Sequence, residues 1–186
     1  RLRISQELHD NIGSQLTFVN ASIGALQRDV THPRLSDIKK LTADTIRELR
    51  KTVWLMNRQS VTLEEFVIKL RDYILTGSQI PITIDVTTNL NQIITAQVAN
   101  HLFRIVQEAV NNTHKHAEAT CITIQIGMAS AEKVLLTIAD NGKGFNPNSS
   151  YTGFGLTGMQ KRVNGLGGEL SVRSQPGTTI SAILPL

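Results

Sequence analysis

A second cysteine, an apolar run long enough to span a bilayer and any low-complexity tract are all missing from this sequence. Cys121, standing alone, can form no intramolecular disulfide and has no metal-ligand partner, which fits a reducing compartment and predicts a packed strand position for it. Crossing a bilayer takes about 20 consecutive apolar residues, and neither such a run nor a signal peptide can be read here. A cytoplasmic location is therefore expected. Neither sign of charge dominates: 19 Lys and Arg against 15 Asp and Glu leave +4. That suits a phosphate ligand but is too small and too scattered for a nucleic-acid surface, so no direct nucleic-acid partner is expected. Also absent are the Gly-Lys-Ser/Thr phosphate loop, a dinucleotide fingerprint after a first strand, and any internal repeat. What is present is a globular composition, 40% hydrophobic and 18% charged over 186 residues, with room for one ordinary domain and a smaller one. The chain opens at Arg1-Leu2-Arg3-Ile4-Ser5, already inside an amphipathic pattern, and is expected to be a piece of something longer.

From Ile4 to Val30 the apolar residues Ile4, Leu8, Ile12, Leu16, Val19, Ile23, Leu26 and Val30 recur at spacings of three and four, the stripe of one long helix. Thr31-His32-Pro33 interrupts it, because proline cannot continue a helix and restricts the residue before it. A second helix is predicted from near Ser36 to about Asn57, with Ile38, Leu41, Ile46, Leu49, Val53 and Met56 on its seam. Two such helices make a hairpin with too little area to stand alone. Two hairpins paired in a four-helix bundle bury both stripes, so a homodimer is expected. The plainer alternative is a hairpin packed on its own C-terminal domain.

Around Arg58-Gln59-Ser60 the seam stops, which divides the chain into residues 1–60 and 61–186. The second part reads as a helix (63–76), a strand (82–87), a long helix (95–116), strands (120–128 and 133–139), a Gly/Asn/Ser loop (141–153), a helix (156–166) and a closing hairpin (169–174, 179–184). Short turns link most of the strands, so a largely antiparallel sheet is expected and the fold class is α+β: a helical hairpin followed by an α/β sandwich.

Three clusters of the second part suit a phosphate-bearing ligand. On the long helix, His101, Arg104, Glu108, Asn111, Asn112 and Lys115 share a polar face opposite Val98, Leu102, Ile105, Val106, Ala109 and Val110. A solvated face accounts for this stripe too, but adjacent Asn residues are poor helix formers, and Glu108 with Asn112 is an i,i+4 pair of oxygen ligands able to hold Mg²⁺. Asp140-Asn141-Gly142-Lys143-Gly144-Phe145 follows an apolar strand. There Asp140 can accept from an exocyclic amine and the glycines permit close approach, although Asn-Gly is also a common turn. Gly153-Phe154-Gly155-Leu156-Thr157-Gly158-Met159 opens a helix whose N–H groups can meet phosphates, with Lys161 and Arg162 adding charge.

Glu108 to Ala117 resembles the N box, Asp140 to Gly144 the G1 box and Gly153 to Met159 the G2 box of the GHKL superfamily of ATPases shared by gyrases, chaperones, mismatch-repair proteins and histidine kinases, whose nucleotide domain has the Bergerat-type fold. Gly177-Thr178 followed by Leu184-Pro185 is similar to its last box and closing strand, and order and spacing match over essentially all of 61–186. The resemblance implies ATP with Mg²⁺ as ligands: Asp140 on the adenine amine, Thr178 near it through water, Glu108 and Asn112 at Mg²⁺, and Lys115 at the phosphates. It also implies that Gly142, Gly144, Gly153, Gly155, Leu156, Gly158 and Met159 lie in the binding boxes, with Gly155 to Gly158 as the hinge of a short ATP lid between Phe145 and Gly153.

In the first helix, Glu7-Leu8-His9-Asp10-Asn11-Ile12-Gly13 sets His9 beside the seam, with Gly13 leaving room one turn later. Alone, His9 reads as a surface histidine. With an ATP site on the same chain, His9-Asp10 resembles the acceptor motif of the histidine-kinase dimerisation and phosphotransfer domain, and that resemblance covers residues 1–57. It implies a two-component sensor kinase that phosphorylates His9, with Asp10 holding the proton on the other ring nitrogen. The receiver domain of a response regulator would be its partner, and the chain itself would be linked to a membrane or sensor region outside it. The alternatives are a catalytically degenerate nucleotide-binding dimerisation module and a gyrase-like or chaperone-like ATPase. One departure from the family carries a prediction. Members with phosphatase activity have Gln four residues after the motif aspartate; here that position is Ser14, and Gln15 is turned about 100° away. Decay of a phosphorylated regulator should be slow with wild type and faster with Ser14→Gln; fast wild-type decay abolished by Gln15→Ala is the contrary result.

Overall fold

The computed structural model describes residues 18, 19, 21–26, 35, 38, 39, 42, 43, 58–78, 80–145, 154–174 and 176–186. The chain divides into two compact units, Arg1–Gln59 and Ser60–Leu186. In the first, every described residue before Arg58 is helical, Leu35 included, one position ahead of the expected second helix. Gly24 lies alongside Lys39, whose Nζ is 3.6 Å from where a Cβ on Gly24 would stand, so the two predicted helices meet. Ile23 is buried, Thr42 Oγ1 donates to Ile38 O at 2.8 Å, and Phe18, Val19, Leu26 and Ile38 are exposed. The Thr31-His32-Pro33 interruption, His9, Asp10, Ser14 and Gln15 lie outside the described residues.

In the second unit, β1 (Ser60–Thr62) leads straight into α1 (Leu63–Gly77). Thr62 closes that helix end as a capping box: Glu65 N donates to Thr62 Oγ1 at 3.2 Å and Thr62 N to Glu65 Oε2 at 3.1 Å, satisfying two donors that have no partner within the helix. After β2 (Ile82–Val86), β3 (Ile93–Thr95) pairs antiparallel with β1 and ends in Thr95, whose Oγ1 accepts from Val98 N at 3.2 Å to start α2 (Ala96–Asn112). Neither three-residue strand is announced by the sequence. They are too short for alternation to register, and each doubles as the entrance of a helix.

β4 (Ile122–Ser130) and β5 (Lys133–Asp140) form a hairpin, α3 (Phe154–Asn164) follows, and β6 (Glu169–Ser174) and β7 (Thr178–Pro185) close the chain. The five-stranded sheet has the order β2-β4-β5-β7-β6. Only β2 and β4 are parallel; β3 and α2 form the crossover that a parallel pair requires. The expected α+β class and largely antiparallel sheet are therefore observed. Period-two alternation turns Ile122, Ile124, Ile126, Val134, Leu136, Ile138, Ile180, Ala182 and Leu184 to the buried face. Val98, Leu102, Ile105, Val106, Ala109 and Val110 of α2 are buried as well, and α2 packs on β5, β7 and α3. Tyr73 of α1 meets Phe103 of α2 edge-on, centroids 5.4 Å apart.

Cys121 is a correction: it is exposed, not packed. It precedes β4 and falls one step out of register with Ile122, Ile124 and Ile126, so the pleat turns it to the open side. The burial pattern also separates two helical leucines. Leu102→Ala empties a fully buried position and should destabilise the protein by about 2–5 kcal/mol. Leu75→Ala, at a side chain 84% exposed, should change stability by less than about 0.5 kcal/mol. Urea midpoints of the two variants check the contrast.

Candidate nucleotide site

A cavity of about 550 Å³ opens between the end of α2 and the adjoining ends of β5 and β7, within the roughly 300–1,000 Å³ usual for small-molecule sites. Its walls are apolar at Ala109, Ile138, Phe145, Leu156 and Ile180, with Asn112, Thr113, Lys115, Asp140 and Thr178 supplying polar groups. The polar residues converge because α2 does not stop cleanly. Its last turn widens into a π turn (Thr113–Ala117) that ends at Glu118 in the left-handed region, φ 55°. Such widened turns occur often at functional sites.

Asp140 is the last residue of β5, and the antiparallel register sets it opposite Thr178, the first residue of β7. Its Oδ1 accepts from Gly142 N at 2.9 Å and from Thr178 N at 3.2 Å. Its Oδ2 accepts from Thr113 Oγ1 at 3.2 Å. Among the described residues three donors and no cation hold the carboxylate, and Oδ2 keeps acceptor capacity toward the cavity. Close packing explains the glycines: a Cβ on Gly142 would strike Ala117, and one on Gly177, at φ 68°, would strike the Asp140 carbonyl. Gly144 lines the cavity at φ 67°, where a side chain is disfavoured.

The loop after Asp140 is fastened on both sides. Asn141 Oδ1 accepts from Thr120 N at 2.9 Å and Cys121 N at 3.0 Å, and Lys143 N donates to Ala117 O at 2.9 Å. Lys143 Nζ sits 2.6 Å from Glu118 Oε1, and this exposed contact holds the Glu118 carboxyl below its usual range. Phe145 N donates to Ser174 Oγ at 2.6 Å, and Ser174 Oγ donates in turn to Gly177 O at 3.2 Å. The end of this loop, at Phe145, is thus pinned to the β6–β7 turn.

Of the expected site residues, Asn112, Lys115, Asp140, Gly144, Gly155, Leu156 and Thr178 line the cavity. Glu108, Gly142, Gly158 and Met159 are not among the lining residues. Glu108 instead presses its carboxylate on Gly155, where a Cβ would overlap it; Gly158 faces the Arg162 guanidinium, and Met159 is fully buried. Gly153 lies outside the described residues, like His9 and Asp10. On the same α2–α3 side, burial and then the Arg162 charge lower the titration of His101, whose Nδ1 is buried with no hydrogen-bond partner among the described residues. Thr113 was missed as a site residue. Its signal was a polar residue four positions after Ala109, on the stripe where the helical pattern calls for an apolar one.

An adenine nucleotide fits this donor and acceptor set: apolar walls for a flat base, a fixed carboxylate for an amine, and Lys115 for phosphate. Among the described residues there is no cluster of three His, Cys, Asp or Glu that could hold a metal by itself. Asn112 at the cavity instead suits Mg²⁺, which is held chiefly by phosphates and waters.

Two family models match the chain. Residues 97–186 match the family described as "Histidine kinase-, DNA gyrase B-, and HSP90-like ATPase", and residues 1–61 match one described as "Histidine kinase". The whole chain is 32% identical to the signal transduction histidine-protein kinase/phosphatase UhpB of Salmonella typhimurium, covering 38% of it. It is 30% identical to the sensor histidine kinase LiaS of Bacillus subtilis, covering 54% of it. The chain thus spans roughly half or less of the length of these relatives. In fold it is similar to the histidine kinase domain of the Erythrobacter litoralis blue-light activated histidine kinase, with a TM-score of 0.61, 17% identity and coverage of 93% of this chain and 94% of that one.

Asp140→Asn places an amide NH₂ where an acceptor is needed, on one side or the other of the carboxylate position. It should weaken ATP binding roughly 10- to 150-fold, the range for a lost charge-assisted hydrogen bond. Calorimetric titration reads this directly, and unchanged affinity contradicts the assignment.

Proposed function

This chain belongs to the histidine kinases, and from that premise we propose that it transfers the γ-phosphoryl group of ATP to its own His9 and then to an aspartate of a response regulator. The observation that carries the reading is the presence, on one chain, of a histidine-kinase match over residues 1–61 and an ATPase match over residues 97–186. An ATP-driven chaperone or gyrase would need only the second.

In this reading a neutral ring nitrogen of His9 attacks the γ-phosphorus, forming an N–P bond as the bond to the ADP oxygen breaks. Asp10 holds the proton on the other ring nitrogen, which raises the nucleophilicity of the imidazole. Asp140 and the apolar walls orient the base, while Lys115 and N–H groups at the start of α3 neutralise phosphate charge. Mg²⁺ supplies further charge neutralisation, with Asn112 and Glu108 as the protein oxygens that would hold it. Glu108 stands one helical turn before Asn112, and its carboxylate is packed on Gly155. A metal-ligand role therefore requires the Glu108 carboxylate to leave its contact with Gly155.

Dimerisation through residues 1–57 accords with the exposed Phe18, Val19, Leu26 and Ile38, apolar side chains that a partner hairpin would cover. Among the described residues no helix is long and apolar enough to cross a membrane. We place the chain on the cytoplasmic side, joined to a sensor region in the longer protein that its relatives' lengths suggest.

Incubation with γ-labelled ATP and Mg²⁺ should produce acid-labile, base-stable label on the protein, lost in His9→Ala although that variant still binds ATP. Bound ATP with no label on wild type would identify a degenerate binding module, and phosphate release without label a plain ATPase.

A further inference from the structure

We propose that Thr113 is a positioning residue for base recognition: its hydroxyl orients the Asp140 carboxylate, so that the cavity prefers a purine bearing an exocyclic amino group. This rests on the reading of Asp140 as the residue that meets the base.

The hydroxyl has one proton and two acceptors in reach, Ala109 O at 3.0 Å and Asp140 Oδ2 at 3.2 Å. Bonding to the carbonyl four residues back is a common local habit of threonine in helices and would need no ligand. Bonding to Asp140 reaches 27 residues along the chain and acts on the carboxylate oxygen that the backbone leaves alone. Oδ1 is already taken by Gly142 N and Thr178 N. Two N–H groups hold Oδ1, and among the described residues Thr113 is the side chain that bonds Oδ2, fixing the plane of the carboxylate at its second oxygen. At 4% exposure, Thr113 is shielded from water that would otherwise compete for the same proton, and it also lines the cavity beside Asp140. A hydroxyl that satisfies one lone pair of Oδ2 leaves the remaining one for a single incoming donor, which defines where an amine must sit. A purine without that amine would leave the acceptor desolvated and unmatched, the arrangement from which polar sites draw their discrimination.

The test compares binding of ATP with that of purine riboside triphosphate, which lacks only the 6-amino group, using the whole chain and calorimetry. Thr113→Val keeps the branched shape and removes the hydroxyl; Thr113→Ser keeps the hydroxyl. Thr113→Val should weaken ATP binding roughly 3- to 10-fold while leaving the desamino nucleotide within about twofold, and Thr113→Ser should retain the wild-type preference. Equal loss for both nucleotides in Thr113→Val, no loss for either, or a Thr113→Ser variant that behaves like valine overturns the proposal. Asp140→Asn separates the two levels. If wild type prefers ATP and Asp140→Asn abolishes that preference, a Thr113→Val variant that keeps it refutes the role of Thr113 alone. If wild type shows no preference, or Asp140→Asn keeps it, the reading of Asp140 fails and the proposal with it.

Discussion

A carboxylate at the end of a central strand, held among the described residues by two backbone N–H groups and the Thr113 hydroxyl, is the constraint from which the second unit's geometry follows. Asp140 receives Gly142 N from its own loop and Thr178 N from the neighbouring strand. The first bond shapes the loop. The second requires β5 and β7 to keep a register in which Asp140 faces Thr178, and one residue of slip would also turn Val134, Leu136 and Ile138 out of the core. Core packing and site geometry are therefore enforced by the same alignment. An unpaired anion in an apolar cavity would be costly, and these donors stabilise it while leaving it able to accept once more.

Around that anion the glycines mark close backbone approaches. Gly142 meets Ala117, Gly177 meets the Asp140 carbonyl, and Gly155 meets the Glu108 carboxylate, three contacts that bring the π turn, the β6–β7 turn and the start of α3 to the cavity. Any side chain at these positions would have to displace backbone or a charged group. The fastening is uneven: the Asp140 loop is tied to Thr120, Cys121, Ala117 and Ser174, whereas Gly155 is set against Glu108 by packing.

Much of this was legible in residue order. The helices, the five main strands and the apolar stripes depend on spacings within one element, and these are local properties of a chain with 3.6-residue and two-residue periods. Asn112, Lys115, Asp140 and Thr178 could be singled out because their motifs are short and keep their order, and all four line one cavity. Cys121 was misread because strand occupancy does not reveal which side of the pleat a terminal residue takes. The strands Ser60–Thr62 and Ile93–Thr95 were not seen, since three residues carry too little alternation to be distinguished from a helix entrance.

By itself, then, the sequence determined the α+β class, the buried stripes of α2 and the sheet, and the candidate boxes, all of which arise from chemistry repeated within a few residues. Tertiary structure decided where the residues of the boxes lie. It placed Asn112 at the cavity but set Glu108 against Gly155, buried Met159, and brought Thr113 to Asp140 across 27 residues of chain. It did so because a carboxylate's partners are chosen by strand register, by the widening of α2 into a π turn and by close packing at glycine, and these distances exist only once the sheet and helix have closed on each other.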